Sequence, residues 1–417
     1  MVKPVGILLF THPDTIKVYR ENTTNYSFDN KKGGGIKKVI SELEVPYEFC
    51  SHSTMGNYDD VICSLTSFND VLNLVINVPN NLKNTRIHIG GPACNNIRPI
   101  IPYIYSANFG RCDEGKINKI LNHEPLKSVW YKDEDPDFSG EYEVDTSSVK
   151  GLGDNERSFG CPQKCAFCFY SHWNGYRTKG KGSHYGSGIE YEEDFFQCLD
   201  WPKIDKSRYG LTALDGVTEE TRSRVHKKIT RQDIKDTLLR SNEIESEKGF
   251  RLKIYLIVGY PWENKDELDK FDLPIIFKEI EDNLINKFTV RLQISHFIPF
   301  QKTPLWNVPF NFYNYRKWAK SHPRLYDSQK VRVFSGVGNP SPALAGTSTI
   351  LQRAWNDDTD VIRLLATKKF RRMKVSQQLS IMRRNFNRFF VEQNVETIKN
   401  IITPNKYDKI IWRDKNK

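Results

Sequence analysis

Ser158-Phe159-Gly160-Cys161-Pro162-Gln163-Lys164-Cys165-Ala166-Phe167-Cys168-Phe169-Tyr170 holds three of the chain's eight cysteines in a C-x3-C-x2-C pattern. Gly160 and Pro162 oppose helix through its first half, so the spacing predicts an irregular loop. Three thiolates on such a loop can wrap one face of an iron–sulfur cube. The fourth iron is then left open to a chelating amine and carboxylate. Zinc is the alternative: His172 lies four residues beyond Cys168 and would complete a Cys3His set. Structural zinc more often takes two separated ligand pairs, and the sequence has no second pair. The remaining cysteines, 50, 63, 94, 112 and 198, are scattered, which does not read as a disulfide framework in a chain of 417 residues.

Outward from this loop, both flanks alternate strand-like and helix-like runs. Over residues 1–125, strands are expected at Val5–Phe10, Tyr47–Cys50, Val61–Leu65 and Arg86–Ile89. Helices are expected at Ile36–Leu43, Val71–Val78 and Glu114–Leu121. Short connections between them argue for a doubly wound, Rossmann-like parallel sheet. Residues 126–155 are polar and acidic and read as a linker. A second α/β region, 156–335, shows strands at Tyr209–Leu214, Leu252–Val258 and Thr289–Phe297. Thr230 with Asp233, and Asn264 with Glu267, have capping-box spacing. Residues 336–417 read as a mainly helical region.

The chain is 38% hydrophobic and 12% aromatic, which fits a folded protein and excludes disorder throughout. No apolar run approaches the ~18 residues of a membrane span, and the start, Met1–Phe10, is too short a run for a signal peptide. No membrane association and a cytoplasmic location are therefore expected. Net charge is +11, from 62 basic and 51 acidic residues. Nine Lys/Arg and no Asp or Glu fall within Arg363–Phe390, so that segment accounts for most of the excess and suggests a polyanionic partner. Leu379, Met382, Phe386 and Phe389 recur there at helical spacing, with Arg383, Arg384 and Arg388 mostly on other faces. The pattern reads equally as a phosphate-gripping helix or as a covering helix with a solvated basic face.

The cysteine loop, with an aromatic before its third cysteine, resembles the radical SAM superfamily. Further resemblance lies in Gly210–Gly216 and the following Thr218–Val225, in Tyr255–Pro261, and in Gln293–Leu305. The likeness over residues 1–310 is to the branch with an N-terminal cobalamin-binding-type domain. It implies a partial (β/α)6 barrel after the first domain. Cys161, Cys165 and Cys168 would hold a [4Fe-4S] cluster whose open iron binds S-adenosylmethionine, releasing a 5′-deoxyadenosyl radical on reduction. Phe167 matches the aromatic that packs on adenine. Asp215 and Gly259 sit at strand ends where relatives contact the ribose and methionine parts. No clear early strand with a glycine-and-acid motif for the SAM amine occurs in residues 171–207.

In the first domain, Ser64-Leu65-Thr66 and Gly90-Gly91-Pro92 resemble the segments that line the slot for the nucleotide tail of cobalamin, where a side chain would collide. The D-x-H-x-x-G motif that ligates cobalt in many members is absent, since His12 and Asp14 stand in the wrong order. The reading that results is a radical SAM enzyme, a cobalamin-dependent methyltransferase acting on an unactivated carbon, with nucleic acid as a candidate substrate through Arg363–Phe390. A reductant such as flavodoxin or ferredoxin is implied. Two alternatives stand: a radical rearrangement, cyclisation or epimerisation enzyme with the first domain as scaffold, and a nucleic-acid-binding protein with a structural metal loop. The sequence does not indicate the oligomeric state.

Overall fold

The computed structural model describes residues 3–9, 34–78, 82, 84–140, 142–145, 158–159, 164–173, 177–178, 210–243, 250–336, 341–392 and 402–403. The first sheet contains β1 (Val5–Leu8), β2 (Tyr47–Cys50), β3 (Asp60–Ser64), β4 (Arg86–Gly90), β5 (Ser106–Asn108) and β6 (Val129–Tyr131), in the order β2-β1-β3-β4-β5-β6. The first five run parallel, and β6 pairs antiparallel with β5. β1 is buried at all four residues, as a strand covered on both faces must be. Three helices supply the cover: α1 (Gly34–Ser41), α2 (Phe68–Asn77) and α3 (Lys116–Leu121). Ile36, Ile40 and Ile117 pack on one face, and Val71, Leu72 and Val75 of α2 join the core on the other. Strand order reverses between β1 and β3, and in doubly wound sheets the ligand crevice opens outside the carboxyl ends at that point. Residues 10–33, with His12 and Asp14, lie outside the described residues.

One boundary differs from the sequence reading. Val129–Tyr131 lie in the expected linker, 126–155, yet they complete the first sheet, with Trp130 and Tyr131 fully buried. The acidic run that suggested a linker folds back instead. Asp135 accepts hydrogen bonds from the amides of Ser139 (2.7 Å) and Gly140 (2.8 Å) and from the Tyr142 hydroxyl (2.9 Å). β7 (Tyr142–Glu143) follows, and Asp145 bridges to Gly110.

β8 (Ser158–Phe159) and β9 (Arg177–Thr178) form an antiparallel pair that brackets the cysteine loop, and α4 (Phe169–Trp173) starts directly after Cys168. The second sheet has the order β10-β11-β12-β14-β13, with β10 (Gly210–Ala213), β11 (Phe250–Val258), β12 (Phe288–His296), β13 (Arg324–Asp327) and β14 (Val331–Phe334). All its pairs are parallel except that of β13 with β14. The α/β class expected for both units is the one the chain adopts. Among the described residues the second unit is an open five-stranded sheet, and residues 179–209 lie outside them. Its helices are α5 (Glu219–Arg224), α6 (Arg231–Asn242), α7 (Lys265–Asp269), α8 (Asp272–Ile280) and α9 (Tyr315–Ser321). Thr230 and Asp233 form the expected reciprocal cap of α6, with Thr230 N–H to Asp233 Oδ2 at 2.8 Å and Asp233 N–H to Thr230 Oγ1 at 3.1 Å.

The helical C-terminal region comprises α10 (Pro342–Arg353), α11 (Thr359–Ala366), α12 (Lys368–Arg372) and α13 (Val375–Asn385), and β15 (Ile402–Thr403) pairs with β7. Ile362, Leu365, Phe370, Leu379 and Met382 share one core with Val71, Leu72 and Leu74 of α2. The apolar stripe of the basic segment thus covers the first sheet. Gln352 fastens the three parts together. It exchanges amide hydrogen bonds with Asn95 (2.8 and 2.7 Å) and accepts from Gln301 N–H at 3.1 Å, with all three side chains buried.

Candidate functional site

The cysteine loop is pinned by its backbone. Ala166 N–H donates to Val225 O (2.8 Å), Leu305 N–H to Ala166 O (3.3 Å) and Cys168 N–H to Cys165 O (3.0 Å). These bonds seat the loop across the end of α5 and the segment after β12. Cys165 and Phe167 are buried in a small cluster with Val225, Tyr260 and Phe297, and Cys168 is half-buried at its margin. Cys161 lies outside the described residues. His172, the fourth ligand in the zinc alternative, directs Nε2 at Cys165 O, 3.1 Å away.

Tyr260 is the hub of this cluster. Its ring stacks on Trp262 (5.2 Å, 3°) and lies 4.9 Å from Phe297 and 6.3 Å from Phe167. Its hydroxyl donates to Asp215 O at 2.9 Å. Burial, then Asp215, Glu263, Cys165 and Cys168, all raise its ionisation well above the usual phenol range, so it is a neutral donor. The hub therefore brings Asp215, the cysteine loop and the Gly259–Glu263 turn into one place.

Asp215 holds a left-handed backbone (φ 52°), and Lys227 Nζ meets its buried carboxylate at 3.3 Å. Arg222, fully buried, fixes the same turn by donating to Gly216 O (3.3 Å), Ile229 O (2.8 Å) and Asp272 Oδ2 (2.8 Å). Gly259 also needs its glycine. Its φ is +85°, and a Cβ there would stand 2.3 Å from the His296 ring. His296 is buried, with Nε2 on Asn311 O (2.9 Å) and Nδ1 without a partner, and burial depresses its pKa to about 4. Glu263 Oε2 accepts from the amides of Gly259 (2.6 Å) and Tyr260 (3.2 Å), while desolvation lifts its carboxyl to about 8. Sequence reading missed Lys227, Glu263 and His296. Glu263 stood only two residues past the Tyr255–Pro261 segment and His296 lay within Gln293–Leu305, whereas nothing local marks Lys227.

At the first sheet, Ser64 and Gly90 are paired at the carboxyl ends of β3 and β4. Asp70 Oδ2 accepts from Thr66 N–H (2.9 Å), Thr66 Oγ1 (2.8 Å) and Ser67 N–H (2.8 Å), which fixes the loop after β3. Gly91 has φ +105°, and its Cβ would stand 2.6 Å from Leu65 O, so the glycine is required by this chain's own backbone. Gly90 is different, since a Cβ there meets nothing closer than Asn108 at 3.9 Å. Asn108 Oδ1, on the neighbouring strand, is buried and without a partner. Asn108 Oδ1 is thus an acceptor whose missing donor an amide-bearing cofactor tail would supply.

The two strand-end regions meet through aromatic rings. Phe68, at the start of α2, stacks on Phe300 (5.9 Å, 27°), and Phe300 lies 4.9 Å from Phe169, the residue after Cys168. Cys50, Cys63, Cys94 and Cys112 are core or near-core thiols, with burial raising Cys50 and Cys112 to about 12. Of the basic segment, Arg363 donates to the Tyr103 hydroxyl (2.6 Å), Arg371 to Asn73 Oδ1 (2.9 Å) and Arg388 to Asp358, while Arg383 and Arg384 remain exposed.

No protein-family model matches this chain, and no curated protein matches it. Among solved structures, it is similar to that of apo, selenomethionine-labelled OxsB, a cobalamin-dependent S-adenosylmethionine radical enzyme. Identity is 12% and the TM-score 0.30, over 93% of this chain and 61% of that chain. The chain thus spans about three fifths of that protein's length. So loose a superposition carries no functional weight. No helix among the described residues is long and apolar enough to cross a membrane.

Proposed function

We propose that the chain is a radical SAM enzyme and, more specifically, a cobalamin-dependent methyltransferase acting on an unactivated carbon. The observation that carries this reading is the junction Phe169–Phe300–Phe68, which sets the cysteine loop against the open strand ends of the first sheet. Cys161, Cys165 and Cys168 would hold the cluster, and Phe167, Asp215 and Gly259 would border S-adenosylmethionine. Ser64, Thr66, Gly90 and Gly91 would border the cobalamin tail, with Asn108 as an acceptor. When bound, the cluster and S-adenosylmethionine supply a carbon-centred radical, and cobalamin supplies a methyl group.

The chain's own part is positioning. The backbone bonds of Ala166 and Leu305 hold the loop, and Tyr260 ties it to the Asp215 turn. The buried rings of Phe167, Tyr260 and Phe297 keep water from one side. Nucleic acid as substrate is supported by the exposed Arg383 and Arg384, and flavodoxin or ferredoxin would supply the electron. A second reading, a radical rearrangement, cyclisation or epimerisation enzyme, is favoured by Gly91, whose requirement is met within the chain without any cofactor.

Anaerobic reconstitution with iron, sulfide and hydroxocobalamin, followed by desalting and an absorption spectrum, tests the proposal. Cluster and corrinoid bands together are expected, with the cluster bands lost in Cys161→Ala. Cluster bands alone would shift the reading to the second one. A colourless protein with stoichiometric zinc would sink both and leave a nucleic-acid-binding protein with a structural metal loop.

A further inference from the structure

The second sheet has one apolar face and one that is not. Leu252 and Ile254 of β11, with Val290 and Leu292 of β12, enter the core beneath α6 and α8. The residues that alternate with them are half-buried or exposed. Parallel sheets are ordinarily covered on both faces, as β1 is, so this alternation marks a face left open. Its character changes along the strands. At the carboxyl end Ile257 packs on the cysteine-loop cluster, and Ser295 is its partner in register. Tyr255 and Gln293 form the next row, and Lys253 and Arg291 the one after. In the last row Arg251 and Arg332 flank Thr289.

Four cations thus occupy two adjacent rows. Neighbouring strands lie about 4.8 Å apart, so Lys253 and Arg291 are like charges side by side, which is unfavourable unless an anion joins them. Among the described residues of the five strands, Asp327 is the one acid on this face. It is already engaged by Arg324 (2.5 Å) and by Arg332, its partner in register (3.7 Å). Lys253 Nζ lies 4.8 Å from the centre of the Tyr255 ring, so the amine leans up the face toward the cysteine loop.

We propose that this face seats the substrate, with a phosphate group between Lys253 and Arg291 and the reacting carbon at the Ile257 end. Four residues of strand separate the two, a span of about 13 Å at the usual rise. A carboxylate would balance one of the two cations, whereas a phosphate monoester or a diphosphate balances both. The arginine fork and the lysine point charge both suit phosphate oxygens. The phosphate seat follows from the sheet alone; that its occupant is the substrate rests on the proposed function. The same chemistry serves a small phosphorylated molecule or the phosphates of a nucleic acid.

Calorimetric titration of the full chain with inorganic pyrophosphate tests the seat. One-to-one binding below millimolar concentration is expected, weakened about tenfold or more in Lys253→Ala and in Arg291→Ala. The double variant Arg383→Ala, Arg384→Ala binds as wild type does, which separates the seat from the basic C-terminal segment. Acetylation of Lys253 in wild type, followed by mass spectrometry, is blocked by pyrophosphate and reads the seat without any substitution. A single-stranded oligonucleotide that pyrophosphate displaces, and that Lys253→Ala binds less tightly, assigns the seat to a strand; otherwise it belongs to a small phosphorylated molecule. The proposal is overturned if pyrophosphate binds only above millimolar concentration, if neither substitution weakens it, or if Lys253 is acetylated as fast with it as without. Displacement by S-adenosylhomocysteine would overturn it too, because the cations would then serve the cofactor's carboxylate. Cys161→Ala loses the cluster bands and keeps pyrophosphate binding, so the two proposals fail separately.

Discussion

The strand ends of the two sheets face each other yet are built from different chemistry. Around the second sheet, charge is buried. Asp215 meets Lys227 and Arg222 meets Asp272, while Glu263 and His296, both held neutral by desolvation, sit side by side with Gly259 between them. At the ends of β3 and β4 the groups are neutral: Ser64, Thr66, Gly90, Gly91 and the neighbouring Asn108, with the carboxylate of Asp70 engaged on backbone and hydroxyl, and the ion pairs Arg111–Asp113 and Lys116–Asp145 stand apart from them, after β5. Buried charge fixes backbone firmly, because moving either partner leaves the other unpaired. The second region is thus suited to holding reacting groups still, and the first to accepting a ligand that brings its own chemistry.

The sharpest way to break this contrast is Arg222→Met. It removes three hydrogen bonds and leaves Asp272 buried, so unfolding free energy should fall by about 3–5 kcal/mol. Adding Asp272→Leu removes the buried charge, which Arg231 at 3.9 Å only partly balances, and should recover most of that loss. Denaturant midpoints of the single and double variants measure both effects. A single variant as stable as wild type would mean that the buried charge does not hold the Asp215 turn.

The next test falls on the first sheet, where two adjacent glycines should behave oppositely. Gly91→Ala forces a left-handed backbone on a side chain and drives it against Leu65 O, at a cost of about 3 kcal/mol. Gly90→Ala meets only ordinary contacts and should change stability by less than about 0.5 kcal/mol. If a cobalamin tail lies over Gly90, the same variant retains less hydroxocobalamin after desalting. Undiminished retention would remove Gly90 from the cofactor site.

Much of this was legible where the signal is local. The limits of β2, the start of β4, the end of β11, the cap of α6 and the cysteine spacing all follow from neighbouring residues, and Thr230 with Asp233 forms the bonds its spacing implies. β6 was not legible, because three residues in an acidic stretch show no periodicity. Nor was the docking of α11–α13 on the first sheet, since an amphipathic helix shows that a face is buried but not against what. The pairing of Asp215 with Lys227 and the His296 ring beneath Gly259 depend on chain crossing, which no local pattern encodes. Gly91 was legible as a glycine that must be one, and Leu65 supplies a reason within the chain.

A test that separates the two regions by pH alone comes from Glu263 and His296. The folded chain raises Glu263 from an ordinary 4.5 to about 8, so it retains a proton that the unfolded chain releases. Stability from this group therefore falls as pH rises from 4.5 to 8. His296 is lowered from 6.5 to about 4, so the unfolded chain binds the extra proton and stability falls as pH drops from 6.5 to 4. Between 4.5 and 6.5 the two slopes oppose each other, and above 6.5 only Glu263 acts. In Glu263→Gln the amide oxygen still accepts from Gly259 and Tyr260, but nothing titrates. The variant should gain on wild type by about 1.4 kcal/mol per pH unit, or about 2 kcal/mol between pH 6.5 and 8. Urea midpoints at pH 5, 6.5 and 8 provide the measurement. Parallel curves would mean that Glu263 ionises as freely as an exposed acid, and the buried charge of the second sheet would then end at Asp215 and Asp272.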